Sequence, residues 1–575
     1  MWRIYFIYYR FLLRYKLRLA VFMVVLIAYS IANSIQPYFY KLFIDLIPSS
    51  DWQKLFKLLL VFVGVRLIKL AVDNLTYLTG DWVVIAAARD ARMTVFKKIQ
   101  DLDFAYHLSK STGSLISAIK RGDNAFFDMH HSINIETASV IFGFLVMMYF
   151  FQRMSPLISI IMVGTIAVNI VLSYFLIRNN IGSRTKFNQS EDEVSDIIVD
   201  NLINYETVKL FAKEGQELVR LGNKFRQWFR ALWGYANSFR MIDLTIGVTG
   251  NVSLFLVMLV GLGQLSRAQI SVGDYIMIFA FMMNFYPQFF ELVYNFRNVA
   301  KHQTDINKYF SILNEETRVK DPQLPLKKTS VEGEIEFKGV DFGYPEGKEG
   351  AIKNLNLIIR QGQSIALVGH SGAGKTTLVK LLMRFYDQDK GQILIDGVDI
   401  KKFSKSGLRN LMGVVPQEPI LFNNTIGYNI AYGAKRPSKQ EIIASAKMAN
   451  LDDFIKSLPK KYETQVGERG VKLSGGQKQR LAIARMILSD PDIIIFDEAT
   501  SQLDSESEKK IQQAFWKAAE NKTTIIIAHR LSTVARADKI AVMKDGRIVE
   551  IGSHRELLLK ANSLYTKFWR LQTIN

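Results

Sequence analysis

Cysteine is absent from the sequence, which excludes disulfides, thiolate metal sites and thiol catalysis before any motif is read. The N-terminal stretch MWRIYFIYYRFLLRYKLRLA lacks the short apolar core and small-residue cleavage site of a secretory signal. Its mixture of basic and aromatic residues predicts instead an uncleaved amphipathic helix lying along the cytoplasmic face of a bilayer. Acidic residues are the minority, 53 against 73 Lys and Arg, for a formal net charge of +20. Such an excess raises the question of nucleic acid, and its location answers it. Arg3, Arg10, Arg14, Lys16 and Arg18 precede the first long apolar run, and Arg89, Arg92, Lys97 and Lys98 follow the second. The positive-inside rule produces this distribution without a nucleic-acid partner.

What the chain does contain divides it into unlike halves. With 575 residues it is too long for one core, and its first half carries repeated apolar runs of membrane-spanning length. The expected crossings are about residues 19–40, 55–78, 133–152, 155–177 and 244–266, with a sixth beginning near Ser271. The polar stretches 80–131 and 178–240 hold no run long enough to span, so they extend into the cytoplasm and leave both chain ends there. In the second run Arg66, Lys69 and Asp73 fall three and four residues apart, on one helical face that cannot point at lipid. In the sixth, Asn284, Gln288 and Glu291 fall at spacings of four and three, and Asn295 continues the face. Such a stripe is either the wall of a translocation cavity or a seam of hydrogen bonds between helices, since both keep polar groups from lipid. Tyr286–Pro287 predicts a kink.

A polar connector with Pro322 and Pro325, residues 314–330, separates residues 1–313 from a soluble α/β domain over 331–575. That second half is organised around GHSGAGKTT, residues 369–377, between a short apolar strand and a helix-like LVKLLMRF. Gly-x4-Gly-Lys-Thr in that context is a nucleotide triphosphate site. The glycines let Gly369, His370, Ser371, Gly372, Ala373 and Gly374 present successive N–H groups to phosphate, joined by Thr377 at the helix start. Lys375 reaches the outer phosphates, and Thr376 offers its hydroxyl to Mg²⁺. Further on, PDIIIFDEAT delivers Asp497 and Glu498 to the carboxyl end of a strand, where open α/β sheets bind ligands. Two adjacent carboxylates divide the labour: Asp497 orients the metal shell, and Glu498 orients and polarises the attacking water.

With LSGGQ at residues 473–477, between the phosphate loop and the carboxylate pair, the chain resembles an ATP-binding-cassette exporter. It looks like a half-transporter of the B type, whose helical membrane domain is fused ahead of its ATPase. The resemblance implies a six-helix all-α exporter domain followed by an α/β P-loop ATPase domain, with ATP and Mg²⁺ as its cofactors. It implies roles residue by residue. Tyr344 resembles the aromatic that stacks on adenine, Gln417 the glutamine that touches Mg²⁺ and senses the membrane domain, and His529 the histidine at the γ-phosphate. Leu473, Ser474, Gly475, Gly476 and Gln477 resemble the signature that meets a partner's nucleotide, so the chain is expected to work as a dimer. A homodimer is favoured over a heterodimer because Glu498 and LSGGQ are both intact. GERG at residues 467–470 resembles the stretch that meets intracellular loops in exporters, and SQLD at 501–504 stands where the family has SALD. Residues 101–110 and 204–213 resemble the coupling helices.

The expected activity is ATP-driven export or flipping of a hydrophobic, amphipathic or conjugated solute, or a lipid, across a bacterial cytoplasmic membrane with the ATPase domain inside. NYETVKLFAKE resembles the branch that carries glutathione-linked or metal-related compounds, which stands as an alternative. An ATP-gated receptor or channel is an alternative of another class. A soluble ATPase acting on DNA or ribosomes is opposed by the uncharged runs 155–177 and 244–266. Arg66, Lys69, Asn284, Gln288 and Glu291 are the candidate substrate-cavity residues.

Overall fold

The apolar runs of the first half fold as helices far longer than a bilayer requires. The computed structural model describes residues 2–110, 112–344, 350–467, 470, 472–497, 505–527, 534–560 and 562–573. Contacts divide the chain into two units, residues 1–101 with 111–315 and residues 102–110 with 316–575. The first contains α1 (Trp2–Leu12), α2 (Lys16–Ser34), α3 (Gln36–Leu46) and α4 (Trp52–Asp101). Beyond α5 (Phe104–Ser109), which belongs to the second unit, follow α6 (Thr112–Met129), α7 (Ala138–Met154), α8 (Pro156–Ile203), α9 (Tyr205–Leu210), α10 (Glu214–Ser266) and α11 (Val272–Ser311). Among the described residues, four helical stretches are long and apolar enough to cross a membrane: 5–49, 115–154, 156–203 and 214–266. Helices α4 and α11, the expected second and sixth crossings, are not among them. Arg66, Lys69 and Asp73 dilute the apolar stretch of one, and Asn284, Pro287 and Gln288 that of the other. Residue 287 lies inside α11 without ending it.

Polar pairs set the register of α8 against α10. Thr165 Oγ1 donates to Ser253 Oγ at 2.9 Å, Thr249 Oγ1 to Asn169 Oδ1 at 2.6 Å and Asn180 Nδ2 to Ser238 Oγ at 2.7 Å. Residue numbers rise on one helix as they fall on the other, the mark of an antiparallel pair. Each such bond in a bilayer contributes about 0.6 kcal/mol, up to about 2, and together the three favour this register over its neighbours. An apolar core including Met147, Met162, Val257, Phe281 and Phe285 joins α7, α8, α10 and α11. Nearer the far end of α11, Tyr309 Oη donates to Asp123 Oδ1 at 3.0 Å while Arg92 Nε pairs with Asp123 Oδ2 at 2.7 Å, tying α4, α6 and α11 together.

The second unit holds two sheets. One is antiparallel in the order β2-β1-β4-β5, from β1 (Ile335–Phe342), β2 (Ile352–Ile359), β4 (Lys390–Ile395) and β5 (Val398–Asp399). The other runs β10-β9-β3-β8-β7-β6, from β3 (Ser364–Val368), β6 (Met412–Val415), β7 (Ile493–Asp497), β8 (Thr523–Ile527), β9 (Lys539–Lys544) and β10 (Arg547–Gly552). Only its edge strand β10 is antiparallel. The central strands are buried on both faces, which is why IIIF and TTIII read as apolar runs rather than alternating ones. Side chains still alternate between two cores. Ile365, Leu367, Ile493, Ile495 and Ile525 join one, and Ala366, Val368, Ile494, Phe496 and Ile526 the other.

The connector is pinned to this unit by Asp396, in the turn between β4 and β5. Its carboxylate accepts the N–H groups of Glu332, Gly333 and Glu334 at 2.8 to 3.0 Å and the Lys328 ammonium at 3.0 Å. Burial alone would raise the carboxyl's pKa, but the Lys328 ammonium and the three N–H groups overcome it and hold the pKa below the usual range. A depressed carboxylate pKa stabilises the folded state above the unfolded value, about 3.9, and the contribution is lost as pH falls through the folded one. Replacing Asp396 by Ala is therefore expected to destabilise the second unit by about 2–4 kcal/mol at neutral pH, leaving three amides without a partner. The difference should shrink below about pH 4. Unfolding midpoints of the purified protein and the variant across pH measure it.

Candidate functional site

Strand β3 ends at Val368, and the backbone then turns back over itself before α12 (Lys375–Leu382) begins. Three constraints make this turn a glycine loop. A Cβ on Gly369 would meet the Met543 carbonyl oxygen at 2.3 Å, so the loop passes directly against β9. Gly372 has φ +82° and Gly374 φ +102°, in the left-handed region that costs other residues most. A Cβ on Gly374 would also meet the Ala351 carbonyl oxygen at 2.9 Å. The turn leaves the free N–H groups at the start of α12 gathered around a concave loop, an anion cradle. Ser371, Gly372 and Thr376 are exposed there and Ala373 is buried. His370 is exposed, its ring edge-on to Phe568 at 4.8 Å.

Lys375 is 6% exposed, and its Nζ donates to the carbonyls of Gly369 at 2.7 Å and His370 at 3.0 Å. Burial depresses its pKa, while the Asp497 carboxylate pulls the other way. A desolvated ammonium held on the loop's own carbonyls at a helix start is suited to the outer charges of a polyphosphate. Thr377, one turn into the helix, is buried, and its hydroxyl lies 3.1 Å from that of Tyr344. The Tyr344 ring is edge-on to Phe342 at 5.0 Å and to Tyr386 at 5.3 Å, which fixes it beside the loop.

Strand order decides which other residues join the loop. Strands β3, β8, β7 and β6 are consecutive and parallel, so their carboxyl ends share one edge of the sheet. Asp497 ends β7, and Gln417 lies exposed two residues past β6. A hydroxyl from Thr376, a carboxylate from Asp497 and an amide from Gln417 are an oxygen donor set of the hard kind Mg²⁺ takes. Glu498 and His529, expected to follow β7 and β8, lie outside the described residues, as do Glu468, Arg469 and residues 501–504. The signature residues form a second helix start. Ser474 caps the helix Gly475–Ser489 in a reciprocal box, its Oγ accepting from Gln477 N at 3.4 Å and its N–H donating to Gln477 Oε1 at 2.9 Å. Leu473 packs toward the core and Gly476 is buried, whereas Ser474 and Gly475 are exposed.

The chain that leaves α4 inserts into this unit. Phe104 of α5 stacks on Phe385 at 4.8 Å and meets Tyr386 edge-on at 6.4 Å. Lys380 of α12 stands between Phe104 and Tyr344, its Nζ 5.7 and 5.8 Å from the two ring centres. Asp103 accepts the N–H groups of Arg318 and Val319. Phe104, Tyr386, Tyr344 and Thr377 thus form an unbroken series of contacts ending on the first turns of α12. Sequence spacing carries no sign of the Phe385–Tyr386 receptor, because its partner lies far away along the chain.

Among the described residues, the first unit encloses a polar and an apolar chamber. One, about 280 Å³, is polar, and its lining includes Asp73, His131, Glu136, Gln288, Glu291 and Asn295. The other, about 410 Å³, is apolar, with Phe144, Ile170, Phe285 and Phe289 in its wall. Of the five expected cavity residues, Gln288 and Glu291 are brought together here. Arg66, Lys69 and Asn284 line neither chamber; Arg66 donates to Gln36 Oε1 at 2.9 Å instead. The reason is axial. Asp73 lies seven residues beyond Arg66, about 10 Å along the helix, and only that level of α4 faces the chamber. His131 and Glu136 were missed because they enter from a π-helical stretch, His130–Thr137, whose wider turn rotates them off the regular α-helical face.

The family model described as ABC transporter matches residues 352–501, and the ABC transporter transmembrane region matches 19–288. ATP-binding cassette sub-family B member 6 of Rattus norvegicus is 35% identical over 555 residues, 94% of this chain and 65% of that protein. Heavy metal tolerance factor 1 of Caenorhabditis elegans is 35% identical, covering 86% and 62%, and the mitochondrial iron-sulfur clusters transporter ABCB7 of Homo sapiens 35%, covering 83% and 64%. The chain thus spans less than two thirds of these relatives' length. The solved structure of a bacterial Atm1-family ABC exporter with ATP bound is similar over 97% of this chain and 98% of its own, with 32% identity and a TM-score of 0.87.

The close approach at Gly369 gives a direct test of the loop. Gly369→Ala should weaken binding of a fluorescent ATP analogue to the purified full-length protein by about tenfold or more, since a carbonyl of the sheet must move or the loop must open. Unchanged affinity would show that the loop tolerates a Cβ against Met543.

Proposed function

Because the chain belongs to the ABC transporter family, as an exporter half of the Atm1 type with its helical domain ahead of its ATPase, we propose that it exports a solute from the cytoplasmic side of a membrane. It is a multi-pass membrane protein and an ATP hydrolase of the ABC class. Two copies are proposed to pair as a homodimer in a bacterial cytoplasmic membrane, each nucleotide lying between one copy's phosphate loop and the other's Ser474–Gln477. The observation that carries the coupling is the series Phe104–Tyr386–Tyr344–Thr377, which puts a segment continuous with α4 in contact with the helix that holds phosphate.

In this reading Lys375 and the amides of residues 369–377 hold the phosphates, and Tyr344 offers its ring to adenine. Mg²⁺, held by Thr376, Gln417 and Asp497, would neutralise charge between the outer phosphates. Glu498 orients water toward the γ-phosphate, and His529 hydrogen-bonds that phosphate. Nucleotide contacts both copies only when they are closed, so binding favours closure and hydrolysis releases it. Helices α5 and α9 would pass that change to the spans. Gln288 and Glu291 face the solute.

A second reading concerns the cargo. Relatives are named for heavy metal tolerance and for iron-sulfur clusters, which supports a metal-related substrate. Glu498→Gln tests the catalytic assignment. ATP affinity should stay within about twofold of wild type while turnover falls by about a hundredfold or more, the variant accumulating as a closed dimer by crosslinking. Hydrolysis at the wild-type rate would remove Glu498 from the role.

A further inference from the structure

Of residues 369–374, which form the glycine loop, three are glycine. Glycine lets the backbone curl but supplies no side chain to keep it curled, and it leaves the loop more conformations to escape into. Ser371 is exposed, whereas Ala373 joins the core that includes Ile365 and Leu367. His370 is the other member with a side chain, and its ring has a specific neighbour. It lies edge-on to Phe568, with 4.8 Å between ring centres and the planes 84° apart. The two residues are far apart in sequence, and Phe568 belongs to a helix the nucleotide reading has not used, Leu564–Thr573.

That helix is fixed at several points. The Glu550 carboxylate of β10 accepts Ser563 Oγ and the Leu564 N–H, both at 2.8 Å, and the Tyr565 N–H at 3.2 Å. Tyr565 is fully buried, its hydroxyl 2.7 Å from His554 Nδ1, and the Trp569 ring lies 4.5 Å from the same imidazole. Phe568 is half-buried and packs on the core that contains Val368, the residue from which the loop departs. A ring anchored in this way presents a firm surface to a loop that has little of its own.

His370 is also where the loop is tied to itself. Its carbonyl accepts from Lys375 Nζ at 3.0 Å and from the Ala373 N–H at 3.2 Å. We infer that Phe568 is a positioning residue for nucleotide binding: through the His370 ring it holds the loop in the curl that receives phosphate. This rests on the phosphate-loop reading above and deepens it. When Lys375 turns to a phosphate it gives up the Gly369 and His370 carbonyls, whereas the ring contact does not involve Lys375 and persists. A loop that is competent for part of the time binds more weakly in proportion to that fraction. Once nucleotide is bound, its phosphates hold the curl themselves, so the contact sets affinity and not turnover at saturation.

The test uses the full-length protein in detergent and reads analogue binding, ATPase kinetics and unfolding midpoints together. Phe568→Leu keeps an apolar side chain on the core and removes the ring; His370→Ala removes the other ring and keeps the backbone N–H. Each should weaken binding of a fluorescent ATP analogue, and raise KM for ATP, about threefold to tenfold, the strength of one edge-on aromatic contact. The kcat should stay within about twofold of wild type. The double variant should bind no more weakly than either single one, because both remove the same contact. Phe568→Tyr restores the ring and should bind as wild type does. A role in packing alone would lower the unfolding midpoint of Phe568→Leu and leave the affinity of the folded protein unchanged. That result, additive losses in the double variant, or a fall in kcat at unchanged KM overturns the inference. His370→Ala alters an exposed side chain, so its affinity decides the matter even where a Phe568 variant fails to fold. Lys375→Ala judges the underlying reading. Analogue binding that survives it removes the phosphate-loop assignment; binding lost there but unchanged in His370→Ala and Phe568→Leu keeps that assignment and takes Phe568 out of this role.

Discussion

The nucleotide half depends on one backbone constraint: between Val368 and Lys375 the chain must double back within van der Waals distance of β9. Only a residue without a Cβ fits against the Met543 carbonyl at position 369, and only left-handed backbone at 372 and 374 completes the curl. The result buries Lys375 on the loop's own carbonyls. Everything else at that edge follows from strands that place their carboxyl ends alongside it, so Asp497 and Gln417 arrive from distant parts of the sequence by sheet order alone.

The segment that follows α4 belongs to the second unit and is held there by aromatic packing. Phe104 leaves the end of α4 and stacks on Phe385, and Tyr386 carries the contact to Tyr344 and so to α12. Aromatic contacts of this kind are directional and contribute about 0.5–1.5 kcal/mol each beyond area burial, enough to make the segment 102–110 move with the nucleotide loop. The backbone bonds from Arg318 and Val319 to Asp103 add a polar clasp at the same place.

Inside the helical unit, polar residues serve two distinct ends. Thr165, Asn169 and Asn180 are spent on α10, where they fix register. Asp73, Glu136, Gln288 and Glu291 instead surround space. The sequence could not distinguish these uses, since both place polar groups on the lipid-averse side of a helix. Spacing correctly grouped Gln288 with Glu291, three residues apart on α11. It also grouped Arg66 and Lys69 with Asp73, yet only Asp73 lies at the depth of the chamber.

The signature at 473–477 was legible through the family resemblance; by itself the sequence determined the division into an apolar helical half and an α/β half, the glycine loop with its lysine and the strand-borne Asp497. Each is a local pattern, in which neighbours along the chain are neighbours in space, and short-range sterics and periodicity are enough to read it. Tertiary structure alone decided the Phe104–Phe385 stack, the clasp of Asp396 on the connector, and the entry of His131 and Glu136 through a π-helical turn. These join residues distant in sequence or depend on a change of helical pitch. No one-dimensional pattern encodes either, because both are settled by which surfaces meet once the helices and sheets have packed.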